Sequence, residues 1–345
     1  MAAFGASFFL CHILLFPRIG YVSLDKRGGE ELKRAGLWII VLSVVVIVLL
    51  PWSVIKWQKG RPSYEDFQIR IRMPDGQTLR MPLEEYLVGV VAAEMPADFH
   101  PEALKAQAVA ARTYAARRLS QTPLPDPGYD VDTTVQTQAW LSDSDLRQKW
   151  GLFGYWRNKG KIQKAVTETR GEVLVADGQY IEAFYHSSSG RKPTERPEDV
   201  WGSARSYLQN VISGEETPLR FVKHFVFTPK DLYQKLSLAG TPHALAAKDF
   251  QVVSRTATGR AKTVSVLGKV YTAAQVRSLL GLPSTDWEWS IKPGQLEITT
   301  YGNGHAVGMS QYGANDFAAK GKTYREILDH FYPGAKLLKL SHPAS

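Results

Sequence analysis

The chain contains 345 residues, of which 44% are hydrophobic and 22% charged, and its formal net charge at pH 7 is +9. These values are ordinary for a globular protein with room for two domains or one elaborate domain, and the basic balance favours an anionic partner such as a cell-wall polymer or an acidic membrane face. Nucleic acid is disfavoured, since the chain has no zinc finger, RNA-recognition signature or dense basic tract. The lone cysteine, Cys11, excludes an intramolecular disulfide and a cysteine-based zinc site.

The first predicted element is a single-pass membrane anchor over residues 35–55, where no charged residue interrupts the chain. As a helix this segment would be about 31 Å long, which matches a bilayer core. Trp38 and Trp52 lie near its ends, and basic residues precede it, which predicts that residues 1–34 are cytoplasmic and the rest lies outside. A cleaved signal peptide is the alternative, but the apolar run is longer than a signal core and no A-x-A site follows it.

Residues 2–16 form another apolar stretch, which is too short to span a membrane comfortably. The sequence leaves open whether they form a second membrane segment or precede the true start of the protein. Residues 56–65 have the composition of a polar linker. The extracytoplasmic catalytic domain is therefore predicted to run from residue 66 to residue 345.

The domain begins with a strand pattern, since apolar and charged residues alternate over residues 67–72. Asp75 and Gly76 then predict a hairpin turn. A helix is predicted from near Leu83, because two acids occupy its first turn and an apolar stripe follows, and Pro96 ends it.

Glu94 stands at the end of that apolar helix. The helix macrodipole disfavours a carboxylate there, and apolar neighbours would desolvate it, so both effects predict that the pKa of Glu94 is raised. A carboxyl that keeps its proton near neutral pH is what a general acid for glycosidic cleavage requires. The alternative interpretation is a surface acid beside a turn.

A second helix is predicted from Pro101, with Glu102 in its first turn and many alanines that allow close approach of other elements. Lys105 and Arg112 share one face of it, about two turns apart. From spacing alone, such a pair is more typical of a solvated face than of a binding site.

Strand patterns dominate the rest of the chain, with a subdomain predicted at about 214–283 that carries helix signals of its own and a short amphipathic helix near the C-terminus. Helices and strands do not alternate regularly, so the predicted fold class is α+β.

His186 ends one strand pattern and is interpreted as a hydrogen-bonding loop residue, a base or a metal ligand. Residues 301–314 are rich in glycine, which permits tight turns or close approach to a ligand, but they lack the G-K-[ST] ending of a Walker loop.

Three long motifs together change this interpretation. Residues 86–115, 181–211 and 304–334 resemble the stage II sporulation protein D family, and the similarity extends over nearly all of residues 67–338. The resemblance implies a lytic transglycosylase that cuts peptidoglycan between N-acetylmuramic acid and N-acetylglucosamine. In that reaction the 6-hydroxyl of the muramic acid attacks in place of water, leaving a 1,6-anhydro end, so one carboxyl suffices where ordinary glycosidases use two.

The resemblance also assigns roles to individual residues. It implies that Glu94, in the E-M-P motif, is the catalytic acid, and that Lys105 and Arg112 bind substrate carboxylates or charge on the reacting sugar. The substrate groove is further expected to be lined by Tyr207, His305, Ser310 and Gln311.

Two departures from the family pattern carry predictions. Some relatives hold zinc with cysteines around a D-T-T-x-x-Q stretch, but residues 130–140 contain no cysteine, so no structural zinc and no cofactor are predicted. The last motif commonly reads G-H-G, and Ala306 replaces its second glycine here.

The family context further implies a role in engulfment during sporulation, with an amidase partner, stage II sporulation protein P, and a membrane partner, stage II sporulation protein M. The alternative from another class is a non-catalytic scaffold that binds glycan and stimulates a cell-wall amidase.

Overall fold

The computed structural model describes residues 36–39, 43, 67–121, 127–133, 137–215 and 219–340. The predicted cytoplasmic segment 1–34 and linker 56–65 lie outside these residues, as does most of the predicted anchor, of which residues 36–39 and 43 are described as helical. No helix within the described ranges combines the length and the apolar character needed to cross a membrane. The chain divides into two compact units, residues 1–63 and 64–345, and all elements after residue 66 belong to the second.

The second unit opens with the predicted hairpin. Strands β1 (Gln68–Arg72) and β2 (Thr78–Pro82) pair antiparallel, and Gly76 in their turn has a φ of 84°, a conformation that favours glycine. The strand and turn predictions are therefore confirmed.

Two helices follow at the predicted positions. Helix α1 (Leu83–Glu94) begins directly after β2, and helix α2 (Pro101–Ser120) begins at a proline whose missing N–H is not needed in a first turn. The alanines of α2 are almost all buried, and their small side chains let other elements pack around it on several sides. A short strand, β3 (Val131–Asp132), then pairs parallel with β1.

A long helix, α3 (Asp143–Glu168), was not among the predicted elements. Ser142 and Asp145 form a capping box at its start, and a non-helical residue, Gly151, divides it into two segments. Both α1 and α2 pack against α3, so these three helices form the helical side of the main core.

The next elements are short. They are strands β4 (Glu172–Ala176), β5 (Gln179–Tyr180) and β6 (Tyr185–His186), followed by a single helical turn, α4 (Pro197–Val200).

A second hydrophobic core is built from the elements that follow. These are β7 (Val222–Phe227), α5 (Pro229–Lys235), β8 (Phe250–Arg255), β9 (Ala261–Val266), β10 (Lys269–Thr272), α6 (Ala273–Leu280), β11 (Asp286–Lys292) and β12 (Gln295–Tyr301). They form two antiparallel sheets, with strand orders β10–β9–β8 and β11–β12–β7. The buried residues of this core extend from Phe227 to Ile298, so the core continues beyond residue 283, where the predicted subdomain ends.

The chain then returns to the main core. Strand β13 (Met309–Ser310) pairs parallel with β6, helices α7 (Gln311–Ala319) and α8 (Tyr324–Phe331) follow, and β14 (Lys336–Lys339) pairs antiparallel with β4. This return joins the third sequence motif to the first two. The grouping of helices and mainly antiparallel sheets is consistent with the α+β prediction.

Candidate active site

Glu94 is the last residue of α1, as predicted. The next residue, Met95, is extended, and its N–H donates to the carbonyl of Val91 in the last helical turn. Pro96 follows and cannot continue the helix. The carboxyl is thereby held at a fixed helix terminus.

Three groups bond to the carboxyl of Glu94. The backbone N–H of Ala139 donates to Oε1 at 3.2 Å, and Nε2 of Gln311 donates to Oε2 at 3.3 Å. The hydroxyl of Tyr185 supplies the third hydrogen bond. These partners come from three different parts of the chain, so the carboxyl is oriented by the tertiary structure.

Burial raises the pKa of Glu94 above its ordinary value. The hydrogen bonds from Gln311, Ala139 and Tyr185 favour the ionised form and lower the pKa, but burial outweighs them. The predicted direction is confirmed, and burial is its leading cause. The carboxyl therefore keeps its proton to a higher pH than an exposed glutamate does.

A buried polar network supports Tyr185. The hydroxyl of Tyr86 donates to Oε1 of Gln138 at 3.2 Å, and Nε2 of Gln138 donates to the hydroxyl of Tyr185 at 3.1 Å. Burial raises the pKa of both tyrosines well above the ordinary value, so both phenols stay neutral. Because the Tyr185 oxygen accepts from Gln138, its own proton is available to Glu94.

Glu94 lines an open pocket of about 550 Å³, which we call the front pocket. Its volume lies in the range of small-molecule sites. Its other lining residues are Tyr114, Thr137, Ala183, Phe184, Tyr185, His186, Ser187, Trp201, Asn303, Gly304, His305 and Gln311. Glu94 is the sole carboxylate among these described lining residues.

Glu94 also lines another open pocket, of about 500 Å³, which we call the rear pocket. Residues 93–98 form one part of it, and Lys149, Trp150, Arg157 and Asn158 of α3 form the other. Glu94 thus borders two concave surfaces. An extended ligand that occupied both would pass Glu94 at its middle.

Aromatic rings form a wall of the front pocket. The ring centroids of Trp201 and His305 are 5.1 Å apart, and those of Trp201 and Phe184 are 5.0 Å apart. Trp201 is 46% exposed. Its ring is available to pack against the apolar face of a ligand.

The two histidines of the front pocket are held neutral. The N–H of Val307 donates to Nδ1 of His305 at 3.1 Å, and burial lowers the pKa of His305 to about 4, with the positive charge of Arg277 a further cause. His186 contacts the Val307 carbonyl through Nδ1 at 3.2 Å and the Ser189 hydroxyl through Nε2 at 2.7 Å. Burial lowers the pKa of His186 as well. This geometry favours the hydrogen-bonding interpretation of His186 over a base or a metal ligand.

The glycine-rich loop between β12 and β13 closes against β6. Gly308 has a φ of 72°, and a Cβ placed there would clash with the carbonyl of Phe184. At Gly304 a Cβ would lie 2.7 Å from that of His186. These glycines allow the close backbone approach that positions β6.

Ala306 adopts the same left-handed backbone region, with a φ of 64°. The substitution in the G-H-G motif therefore preserves a glycine-like conformation, at a strain cost of roughly 1 kcal/mol.

Arg112 does not line either pocket, in contrast to the prediction. Its guanidinium is fully buried and donates through Nε and Nη2 to both carboxylate oxygens of Glu84, at 2.9 and 2.7 Å. Nη1 donates to the Glu172 carbonyl at 3.2 Å. A buried, fully bonded guanidinium is not accessible to substrate, so the structure corrects Arg112 to a core ion pair.

Lys105 is engaged in a similar way. Its ammonium contacts Glu102 at 2.7 Å and Glu168 at 2.8 Å, and it joins α2 to α3 away from both pockets. Lys105 therefore lines neither pocket, and its substrate-binding role stays a prediction. Its side chain is 17% exposed and that of Glu168 is 41% exposed, so this ion pair lies at the edge of the protein surface.

Tyr207 and Ser310 are placed beside the site without lining either pocket. The Tyr207 hydroxyl accepts from the backbone N–H of Glu182 at 3.1 Å, and its ring is buried in the main core. The Ser310 hydroxyl caps α7 by accepting from the N–H of Gly313 at 3.2 Å. Of the seven predicted site residues, Glu94, His305 and Gln311 are brought together.

Sequence reasoning missed several residues that shape the site. Trp201 lies within the second sequence motif, and an exposed tryptophan in a conspicuous motif was the signal available. Tyr185 and Gln138 gave no local signal, because their role depends on contacts between distant parts of the chain.

A larger cavity, of about 600 Å³, lies between α1 and α3. Two of its acids are engaged in ion pairs: Glu84 with Arg112, and Asp143 with Lys159 at 2.7 Å. The third acid, Glu85, is exposed, so none of the described acids in this cavity is both buried and unpaired, and the cavity is a weaker candidate than the front pocket.

Comparisons with known proteins show which family the chain resembles. The SpoIID family, described as Stage II sporulation protein, matches residues 76–175. The chain is 36% identical to stage II sporulation protein D of Bacillus amyloliquefaciens, over 88% of this chain and 94% of that protein, and 39% identical to stage II sporulation protein D of Bacillus subtilis, over 74% of each. It is also 28% identical to the amidase enhancer of Bacillus subtilis, over 73% of this chain and 40% of that protein.

Proposed function

The chain belongs to the stage II sporulation protein D family of sporulation proteins, and from this premise we propose that it is a lytic transglycosylase of peptidoglycan. The substrate is a glycan strand of alternating N-acetylglucosamine and N-acetylmuramic acid, and the bond cut joins C1 of the muramic acid to the next sugar. The product carries a 1,6-anhydro end.

One observation carries this proposal. Glu94 is a partly buried carboxyl with a raised pKa, it lines both the front and rear pockets, and it is the sole carboxylate among the described residues of the front pocket. The other acid of the rear pocket, Asp98, is exposed. Ordinary glycosidases require a second carboxyl as base or nucleophile. A reaction in which the sugar supplies its own nucleophile requires only the acid.

The reaction then proceeds with one carboxyl acting twice. Protonated Glu94 donates its proton to the glycosidic oxygen as the bond from C1 to that oxygen breaks. The 6-hydroxyl of the same muramic acid attacks C1 to form the new bond from C1 to O6, and its proton passes to the Glu94 carboxylate. The acid is restored and no water is consumed. One proton has been donated and one has been returned, so the reaction creates no charge on either sugar product.

The surroundings of Glu94 fit a sugar polymer. Trp201 offers an exposed aromatic face in the front pocket, and Trp150 lies in the rear pocket. Lys149 and Arg157 add positive charge to the rear pocket, which suits a strand whose muramic acids carry carboxylates.

The test uses the purified full chain and peptide-stripped glycan strands, with products identified by mass spectrometry. We expect anhydro-ended fragments from the wild type and a rate about 10²- to 10⁴-fold lower for Glu94→Gln. The matched control is Glu85→Gln, an exposed acid on the same helix, which should cut at the wild-type rate. Fragments with reducing ends would instead show hydrolysis and require a second carboxyl.

A second candidate function is a glycan-binding scaffold that stimulates a cell-wall amidase. The similarity to the amidase enhancer of Bacillus subtilis supports it. The two candidates separate in one comparison: a scaffold would leave strands intact, and its Glu94→Gln variant would stimulate an added amidase as well as the wild type does.

The proposal extends to location and partners. We propose that residues 35–55 anchor the protein in the cell membrane, with residues 1–34 in the cytoplasm and the catalytic domain outside, on the basis of the uncharged run and the basic residues before it. The proposed partners during engulfment are an amidase, stage II sporulation protein P, and a membrane protein, stage II sporulation protein M. Co-purification of the full chain with each partner would test this assembly.

A further inference from the structure

Helix α3 turns back on itself at Gly151. This residue has a φ of 65° and a ψ of 176°, so two helical segments meet there. The Lys159 ammonium contacts the Asp143 carboxylate at 2.7 Å across 16 positions. In a straight helix those two residues would lie about 24 Å apart, which is further than their side chains can reach. The first segment therefore folds back towards the second, and residues 151–153 form a corner between them.

Large apolar side chains project from this corner. Phe153 is 90% exposed, the largest fraction among the large apolar side chains that the structure describes, and Leu152 is 65% exposed. Trp156, which is 63% exposed, follows them by three and four positions and shares their face of the helix. We call these three residues the corner patch. Single exposed apolar residues are normal on a protein surface, but a contiguous group marks an interaction surface.

Positive charge surrounds the corner patch. Residues 146–167 include no acid, and their cations are Arg147, Lys149, Arg157, Lys159, Lys161 and Lys164. Arg147 and Arg157 are exposed, and neither forms an ion pair with a residue that the structure describes. The Arg147 guanidinium lies 5.7 Å from the ring centroid of Trp156, so its charge is held beside the patch. The acids that the described rear pocket adds, Glu94 and Asp98, are outnumbered by these cations.

An anionic bilayer surface matches these features. Tryptophan and other large apolar side chains insert at the boundary between lipid headgroups and acyl chains, and arginine and lysine bind the phosphates above them. A projecting apolar corner requires a partner that moulds to its shape. Lipids do so, whereas a folded protein or a glycan strand would have to present a matching recess. The excess of positive charge then selects an anionic headgroup over a neutral one.

We propose that the corner patch docks on the surface of a bilayer that contains anionic phospholipid. Leu152, Phe153 and Trp156 enter the interfacial layer, and Arg147 and Arg157 contact phosphates. This docking depends on neither the transglycosylase reaction nor the proposed anchor. Since Arg157 also lines the rear pocket, docking holds that pocket at the membrane surface.

The test places an environment-sensitive dye at the corner. In the full chain, Cys11→Ser removes the only cysteine, and Leu152→Cys is labelled with a nitrobenzoxadiazole dye, which leaves Phe153 and Trp156 in place. The protein is reconstituted with phosphatidylcholine vesicles that either contain or lack phosphatidylglycerol. We expect brighter, blue-shifted emission with phosphatidylglycerol, and quenching of that emission by lipids that carry a nitroxide near the headgroup.

The control label is Val270→Cys, since Val270 is 61% exposed on β10 of the second core. Its emission should be the same in both kinds of vesicle, even if residues 35–55 anchor the chain in each of them. The dye therefore reports docking of the corner and not attachment of the chain.

Substitutions beside the dye separate the apolar and the electrostatic contributions. Phe153→Ser should reduce the ratio of docked to undocked protein about tenfold or more, because the ring that enters lipid is removed. Arg147→Gln should reduce it roughly fivefold, and added salt should weaken docking of the wild-type corner. Arg80→Gln removes an exposed cation on β2, so it is the matched control and should leave the ratio unchanged.

Equal emission in the two kinds of vesicle, or a blue shift without nitroxide quenching, would overturn the proposal. The second result would show that a protein, such as another copy of this chain, covers the patch. Quenching that persists in full in both Phe153→Ser and Arg147→Gln would also overturn it, since the dye would then enter lipid by itself. A failed cleavage assay would overturn the transglycosylase proposal and leave this measurement unaffected.

Discussion

Gln311 and Glu94 are separated by 217 positions in the chain, and Nε2 of Gln311 donates to Oε2 of Glu94 at 3.3 Å. This contact joins the start of α7 to the end of α1. It favours the ionised carboxyl, while burial favours the protonated one. The pKa of the proposed acid is therefore set by a balance between burial, which raises it, and the hydrogen bonds to the carboxylate, of which the one from Gln311 is the largest.

Removing that amide should shift the pH dependence of cleavage. In Gln311→Ala the pKa of Glu94 is expected to rise further, because a donor that stabilises the carboxylate is lost. Since a general acid loses activity when it loses its proton, the alkaline limb of the pH–rate profile should move to higher pH. A lower rate with an unmoved limb would show that Gln311 only positions the substrate.

Glu94 should also make the stability of the protein depend on pH. Its pKa is raised in the folded state. The contribution of Glu94 to the free energy of unfolding is therefore complete below the unfolded-state pKa and is lost as pH rises through the folded-state pKa. The side chain in Glu94→Gln cannot ionise. The melting temperature of this variant should therefore increase relative to that of the wild type as pH rises from acid to neutral. The control Glu85→Gln, at an exposed position, should show no such gain. A difference between Glu94→Gln and the wild type that is constant with pH would contradict the shifted titration.

Trp201 is expected to contribute to substrate binding through its exposed ring. Trp201→Ala should raise KM about tenfold, which corresponds to a loss of roughly 1–1.5 kcal/mol of aromatic contact. Trp156 is the matched control, because it is 63% exposed on α3 and lines neither the front nor the rear pocket. Equal effects of the two substitutions would show that the ring of Trp201 does not touch the sugar.

Arg112 is expected to act on stability and not on binding. Arg112→Ala would leave Glu84 without its buried partner and should lower the free energy of unfolding by about 3–5 kcal/mol. Denaturant unfolding measures this loss, and the exposed Arg80→Ala serves as its control.

The double variant Arg112→Met with Glu84→Gln should recover part of that stability, since both charges are then removed together. A stable Arg112→Ala protein with weakened glycan binding would restore the substrate-binding role that the family resemblance implied.

Local features of the sequence determined the helix that carries Glu94. The acids in its first turn, the apolar stripe and the terminating Pro96 place an acid at the end of an apolar helix, and that is where the structure has it. These signals are reliable because capping and periodicity act within one or two turns of the chain.

The partners of each charged side chain were decided by the tertiary structure. The spacing of Lys105 and Arg112 could not show that Glu84 and Glu168 neutralise them, since those acids lie on other helices. Likewise, nothing near Glu94 in sequence indicates that Gln311 bonds to it. Local chemistry fixes where a helix begins and ends, whereas the free energy of a buried charge depends on which distant groups the fold brings within a few ångströms.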